Sequence, residues 1–366
     1  MKKKICIISC FVIISICWIL IFALKYIINK TSANAQNPES IETIFVNDIN
    51  FASVPGIEIL DANNTYFRVY KNDLNLINAD IKITSNIKVK KTINRMQMIQ
   101  EPLKQIMLKL NNKEYPAVID TGFFGYFTVN DVVIVENKLK IFPFEKSEPH
   151  VAGYSWIDEV QLGDMNITNI FSYYKLGHYE KRVPGKDAEK LGQVILGLKF
   201  LRQHKYVLLD NVASEIEFSL ESFQADPNEQ WKQYKMSFEK DKANNLRAVV
   251  EIPIAGESTK IMFDTGAAFH LSMSKSKWEN FSEKLNVINE RNIRLAMAHG
   301  FIESKEKTIG ELNIGERIFF NTPIYVSNEE TILGSEEFVL GMGCFEDTTI
   351  VLDFKNNLFW VRGTSQ

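Results

Sequence analysis

The feature that most constrains this chain is a long internal repeat. Under an offset of 144 residues, Asp120-Thr121-Gly122 matches Asp264-Thr265-Gly266, and Ile195-Leu196-Gly197 matches Val339-Leu340-Gly341. In each copy the second Gly lies 77 residues after the Asp. Between these anchors, Gly153-Tyr154 matches Gly300-Phe301, and Gly163-Asp164-Met165-Asn166-Ile167 matches Gly310-Glu311-Leu312-Asn313-Ile314, both at an offset of 147. The three-residue change opens in one loop and closes in another. Further on, Val207-Leu208-Leu209-Asp210 resembles Ile350-Val351-Leu352-Asp353. A period this long excludes a solenoid, whose units run to about 20–50 residues. It leaves two copies of one supersecondary plan. Each triplet follows an apolar run, Ala117-Val118-Ile119 or Ile261-Met262-Phe263, of the kind that forms a buried strand. The repeat therefore delivers two carboxylates on two matching strand-to-turn junctions.

The paired triplets, the later apolar-apolar-Gly elements and the duplication together resemble the pepsin and retropepsin superfamily of aspartic peptidases. The resemblance covers about residues 101–225 and 243–366. It implies an all-β fold of two pseudo-symmetric lobes over those spans, with 226–242 as the inter-lobe connection and a cleft between the lobes. It implies that Asp120 and Asp264 are the catalytic pair, one per lobe. Thr121 and Thr265 would hydrogen-bond across the pair to the other lobe's backbone, and each apolar-apolar-Gly strand would pack behind its own triplet loop. Gly122 and Gly266 suit the tight turn that aims each Asp inward. Gly153-Tyr154 and Gly300-Phe301 lie where the superfamily places its flap hairpins. A Gly hinge with an aromatic tip can close over an extended peptide and exclude water. The alternative for either pair is an ordinary hairpin Gly beside a core aromatic.

The chemistry expected of two such carboxylates is hydrolysis of a polypeptide substrate without a covalent intermediate. Two carboxylates held close cannot both ionise cheaply, so they share a proton. The ionised member draws a proton from a water between them, and the protonated member donates to the scissile carbonyl oxygen. No cofactor is called for, and no pair among His150, His178, His204, His270 and His299 has zinc-ligand spacing. The chain departs from the superfamily pattern just after each triplet. Phe123 and Ala267 stand where pepsin-like enzymes commonly carry Ser or Thr. Neither supplies a hydroxyl to the ionised carboxylate, so the pair should hold its proton to higher pH than in acid-tuned relatives. Phe123-Phe124 is also bulky enough to narrow the cleft.

The N-terminus is the second informative region. Lys2, Lys3 and Lys4 precede the uncharged stretch Ile5 to Leu24, long enough to cross a bilayer as a helix. Residues 1–28 read as a cytoplasmic stub and transmembrane anchor and 29–45 as a polar tether, with the remainder outside the cytoplasm. A signal peptide cut near Ala35, after Ala33-Asn34-Ala35, is the competing reading. The formal net charge of −3 gives no reason to expect nucleic acid. Cys344 is the one cysteine beyond the apolar stretch, so the soluble part cannot close an intramolecular disulfide and must be held by its core. The two triplets in one chain imply a monomeric active unit. Residues 46–100 lie outside the repeat and alternate in places, as in Asp80-Ile81-Lys82-Ile83-Thr84 and Ile87-Lys88-Val89-Lys90. They read as strands of an extra sheet, a separate module or a covering prosegment. After the second triplet, Trp278, Phe281, Leu285 and Ile288 recur at helical spacing behind the capping-box form Ser276-Lys277-Trp278-Glu279.

Overall fold

A computed structural model describes residues 88–89, 93–99, 103–143, 152–175, 193–241, 245–297, 300–327 and 338–363. Strands dominate them, and the helices are short: Asp131–Asn137, Leu198–Leu201 and Lys275–Phe281. Both halves of the repeat lie in one compact unit spanning Thr43–Gln366. Among the described residues no helix is long and apolar enough to cross a membrane. The anchor expected at residues 5–24, the tether, and the strand expected at Asp80–Thr84 fall outside them.

Each half builds the same five-strand arrangement. In the first, the spatial order is Met165–Lys175, Phe127–Val129, Val194–Gly197, Lys113–Asp120 and Gln105–Leu110. In the second it is Arg317–Ser327, Leu271–Ser274, Phe338–Gly341, Glu257–Asp264 and Leu246–Ile254. The register explains the 77-residue spacing. The triplet strand runs parallel to the apolar-apolar-Gly strand, with Asp120 opposite Gly197 and Asp264 opposite Gly341. Glycine is required at both places by close approach. A Cβ on Gly197 would strike the Gly125 carbonyl and the Phe123 ring, and one on Gly341 would strike the Phe269 carbonyl. Ile119, Leu196, Phe263 and Leu340 are fully buried beneath the two turns, so the apolar runs around each triplet are what anchor it.

Six antiparallel strands at one end of a 13-stranded sheet, continuous with the second half through Leu246–Ile254, join the halves. Their order is Trp231–Lys240, Leu358–Arg362, Thr349–Asp353, Tyr206–Asp210, Glu215–Ser219 and Ile93–Gln97. At its centre the repeat pairs with itself, Val207 against Leu352 and Leu209 against Ile350. Three strands on each side make this set of six two-fold symmetric.

Three expectations change here. The span 226–242, expected as a connection, carries the ten-residue strand Trp231–Lys240, which pairs with Leu358–Arg362 on one side and Leu246–Ile254 on the other. The described end of the N-terminal segment is no separate module: Ile93–Gln97 completes the shared sheet against Glu215–Ser219, and Arg95 pairs with the buried Glu217 carboxylate. The helix after the second triplet is capped by Ser274, whose hydroxyl accepts from Lys277 N–H at 3.3 Å, rather than by Ser276. It ends at Phe281, and Ile288 sits exposed on the strand Val287–Met297. Of the four residues at helical spacing, Trp278 and Phe281 lie in the helix, buried Leu285 follows the short turn Ser282–Lys284, and Ile288 belongs to the next strand.

Candidate active site

The two Asp-Thr-Gly turns meet at the junction of the halves. Their threonines are buried and make four hydrogen bonds across the junction, two of them to each other. Thr121 N–H donates to Thr265 Oγ1 at 2.9 Å and Thr265 N–H donates to Thr121 Oγ1 at 3.0 Å. The hydroxyls then donate onward, Thr121 Oγ1 to the Phe263 carbonyl at 2.7 Å and Thr265 Oγ1 to the Ile119 carbonyl at 2.8 Å. Each acceptor is the residue just before the opposite Asp. The network therefore fixes the two strand ends to one another, and with them the starting points of both carboxylate side chains.

Asp120 and Asp264 are brought together by this frame. Their carboxyl groups hydrogen-bond to each other. Each packs against the other half's glycine: a Cβ on Gly122 would lie 2.5–2.7 Å from the Asp264 carboxyl atoms, and one on Gly266 would lie 2.6–2.9 Å from those of Asp120. That contact, as much as the turn, demands Gly at both positions. Backbone N–H groups aim at the pair as well. Phe123 N–H donates to Asp120 Oδ1 at 2.9 Å and Gly266 N–H donates to Asp264 Oδ1 at 2.8 Å.

The electrostatics follow from this packing. Both residues are partly exposed, yet their carboxyl groups are stripped of most water. Burial raises Asp120 well above the ordinary carboxylate range, and the neighbouring Asp264 charge raises it further. Burial also raises Asp264, but the Gly266 N–H, the hydrogen bond from Asp120 and the Arg247 charge oppose the rise. Both shifts favour the protonated form, so the pair binds a proton more readily than an isolated exposed carboxylate does.

Other residues singled out in the sequence fall into place around the pair. Phe123 does not stand free in front of Asp120. Its ring is half-buried, 5.3 Å from Phe124 and 6.4 Å from Tyr173, and it lies over Gly125 and Gly197. Ala267 is buried, its N–H directed at the Asp264 carbonyl at 3.3 Å. Tyr154 is not a hairpin tip. Gly153 and Tyr154 lie within the strand Ala152–Leu162, opposite Pro143 and Phe142 on one side and Tyr174 and Tyr173 on the other, and the Tyr154 side chain is buried. The alternation of the strand turns it inward, and residues 144–151 at the turn lie outside the described residues. Gly300 opens the strand Gly300–Ile314 opposite Met297, beside the hairpin turn, with Phe301 next in that strand. His270 stacks edge-on against Phe319 at 5.3 Å, and Cys344 is buried with its thiol toward the His270 carbonyl; neither contacts the carboxyl pair in these bonds. Among the described residues no group of three or more His, Cys, Asp or Glu is placed to hold a metal ion.

Sequence reasoning missed Arg247. Its side chain is buried, salt-bridged to Asp241 at 3.0 Å, and its Nη1 donates to the Gly122 carbonyl of the opposite triplet. The signal was available: the 144-residue offset aligns Arg247 with Leu103, so a charge stands where the other copy has an apolar residue.

No family model matches this chain, and no curated protein matches it. Among solved structures it is similar to basic 7S globulin from soybean, with 11% identity over 75% of this chain and 97% of that one, at a TM-score of 0.43. It is similar also to conglutin gamma, a basic 7S globulin from lupine seeds (10% identity, 75% and 96% coverage, TM-score 0.43), and to edgp (10%, 75% and 96%, TM-score 0.44). The site is therefore read from this chain's own geometry.

Proposed function

We propose that the chain is an aspartic-type endopeptidase of pepsin-like or retropepsin-like plan, cutting extended polypeptide in a cleft between its two halves. The observation that carries the reading is the desolvated, mutually hydrogen-bonded Asp120–Asp264 pair, mounted on two matching turns that the threonine network locks together. In this reading the ionised carboxylate takes a proton from a water lying between the pair, and the protonated one donates to the scissile carbonyl oxygen. The roles reverse as the amine leaves, and no covalent intermediate forms. Pre-positioning supplies much of the rate, because neither side chain has to find the other. One chain supplies both carboxyls, so the active unit is a monomer. Residues 5–24 would anchor it with the site outside the cytoplasm, and protease added to intact cells would then digest residues 46–366 while the anchor stays in the membrane.

A second reading, a peptidase-fold protein that binds peptides or a partner at the cell envelope without cutting, is favoured by one observation. The post-triplet positions Phe123 and Ala267 supply no hydroxyl to the carboxyl pair. Incubation of the full chain with a diverse peptide mixture across pH separates the two. New peptide ends that disappear in Asp120→Asn and in Asp264→Asn support hydrolysis; peptides retained but uncut support the binder.

A further inference from the structure

The carboxyl pair is built by a symmetric frame, and a symmetric frame gives the shared proton no reason to prefer one side. Thr121 mirrors Thr265, Gly122 mirrors Gly266, and each carboxyl receives a backbone N–H from its own turn. The donors are not equivalent, Phe123 N–H on one side and Gly266 N–H on the other, and a charged side chain breaks the symmetry further. Arg247, aligned with Leu103, is the second residue of the strand Leu246–Ile254 and is buried. Its guanidinium is held on one edge by Asp241, with Nε at 3.1 Å and Nη2 at 3.0 Å from the same Oδ2. Asp241 is itself fixed by the N–H of Asn245 at 2.8 Å. The other edge reaches across to the Gly122 carbonyl. Gly122 is the residue against which the Asp264 carboxylate packs. A pre-oriented cation therefore sits one peptide unit from Asp264.

We propose that Arg247 is a positioning residue that makes the pair unequal: it holds the Gly122 turn and keeps Asp264 the ionised member, leaving the proton on Asp120. The inference rests on the hydrolytic reading for its consequence, since it assigns Asp264 to activate water and Asp120 to protonate the substrate carbonyl. The charged groups around the pair are consistent with it. Arg247 acts on Asp264, and each carboxyl acts on the other. Asp241 compensates the guanidinium from its far edge. The fork geometry matters as well as the charge, because only a guanidinium reaches a carboxylate and a carbonyl on opposite edges at once.

The test is the pH dependence of kcat/KM for peptide hydrolysis by the full chain carrying Arg247→Met, Arg247→Lys or Asp241→Asn. Removing the cation raises both apparent pKa values of the pair, so Arg247→Met should move both limbs about one pH unit toward alkali, with about a tenfold loss on the acid limb. Arg247→Lys, which keeps the charge, should move them less than half as far. Asp241→Asn unmasks the guanidinium and should move them toward acid, and it serves if Arg247→Met does not fold. A profile lowered in height but unmoved, or equal shifts in the Met and Lys variants, would overturn the assignment. Absence of any Asp120-dependent cleavage by the wild type would sink the hydrolytic reading alone. Infrared titration then still reads the proton: the protonated-carboxyl band should vanish in Asp120→Asn and the pair's titration should shift in Arg247→Met. A band that vanishes in Asp264→Asn instead, or a titration that Arg247→Met leaves in place, refutes the proposal without any substrate.

Discussion

Replacing Thr121 by Val removes one hydroxyl and almost nothing else. The side chains are nearly isosteric, Thr121 is fully buried, and no cavity is opened. What is lost is specific. The Thr265 N–H, at 3.0 Å, loses its acceptor, and the Phe263 carbonyl, at 2.7 Å, loses a donor. A buried group stranded in this way costs about 1–3 kcal/mol, with the carbonyl at the low end because its second lone pair can still be used. The expected destabilisation is therefore about 3 kcal/mol. Because the six shared strands tie the halves together, unfolding should be one transition, measurable by equilibrium urea denaturation followed by tryptophan fluorescence. Thr121→Ser is the control: it keeps both bonds and loses one methyl, at a cost of about 1 kcal/mol. The Thr121→Val/Thr265→Val double variant strands four groups and should forfeit about 5 kcal/mol, less than twice the single loss because the first break already loosens the second. That is a large share of the roughly 5–15 kcal/mol that holds a domain together. Any peptidase activity should fall by about a hundredfold in Thr121→Val, since the turns that aim the carboxyls lose their mutual register. A Val variant within 1 kcal/mol of wild type, or a Ser variant as damaged as the Val one, would refute the assignment of these four bonds as the frame of the site.

Gly122→Ala places a methyl 2.5–2.7 Å from the Asp264 carboxyl atoms, so it should cut activity about a hundredfold. Gly256→Ala, at φ +84 with open space around the new methyl, should cost only about 1 kcal/mol of stability and leave kcat unchanged. Ala267→Ser, if its hydroxyl donates to ionised Asp264, should move the pH–rate profile toward acid, because stabilising the charged form lowers the pair's pKa; an unmoved profile would show that this position does not set it. His204 is buried against Phe200 and Phe218, which pushes its pKa down to about 4. The unfolded chain takes up that proton first, so stability is whole above about pH 6.5 and falls as pH drops from there toward 4. His204→Leu should flatten that acid loss, by about 3 kcal/mol at the low end, in urea midpoints measured across pH.

The repeat made the central architecture legible because its anchors are residues with no freedom of choice. Asp120 opposite Gly197 and Asp264 opposite Gly341 are register partners, so the 77-residue spacing was a sheet pairing seen in one dimension. The strand Trp231–Lys240 was hidden by its charges. Lys232, Lys235, Glu239 and Lys240 are all solvent-exposed along it, so its composition resembles a linker although it is paired on both sides. Tyr154 lies inside its strand, because a Gly-aromatic pair marks a hairpin without saying where its turn falls. Arg247 escaped notice because its partner, the Gly122 carbonyl, is a backbone atom that no side-chain motif can announce.

The symmetry of the six shared strands has a consequence for how the chain can be divided. Each half lends three strands that lie wholly within its own stretch of sequence: Ile93–Gln97, Tyr206–Asp210 and Glu215–Ser219 from one, Trp231–Lys240, Thr349–Asp353 and Leu358–Arg362 from the other. A break in the backbone between Ser219 and Trp231 would sever no strand and no carboxyl from its turn. The two halves are thus joined covalently by one short segment, residues 220–230, in which Phe223 packs against Tyr206, Trp231 and Trp360. Two separately made fragments have, in the Val207–Leu352 and Leu209–Ile350 pairing and the crossed threonines, a complementary surface by which to reassemble the site, with Asp120 arriving on one piece and Asp264 on the other.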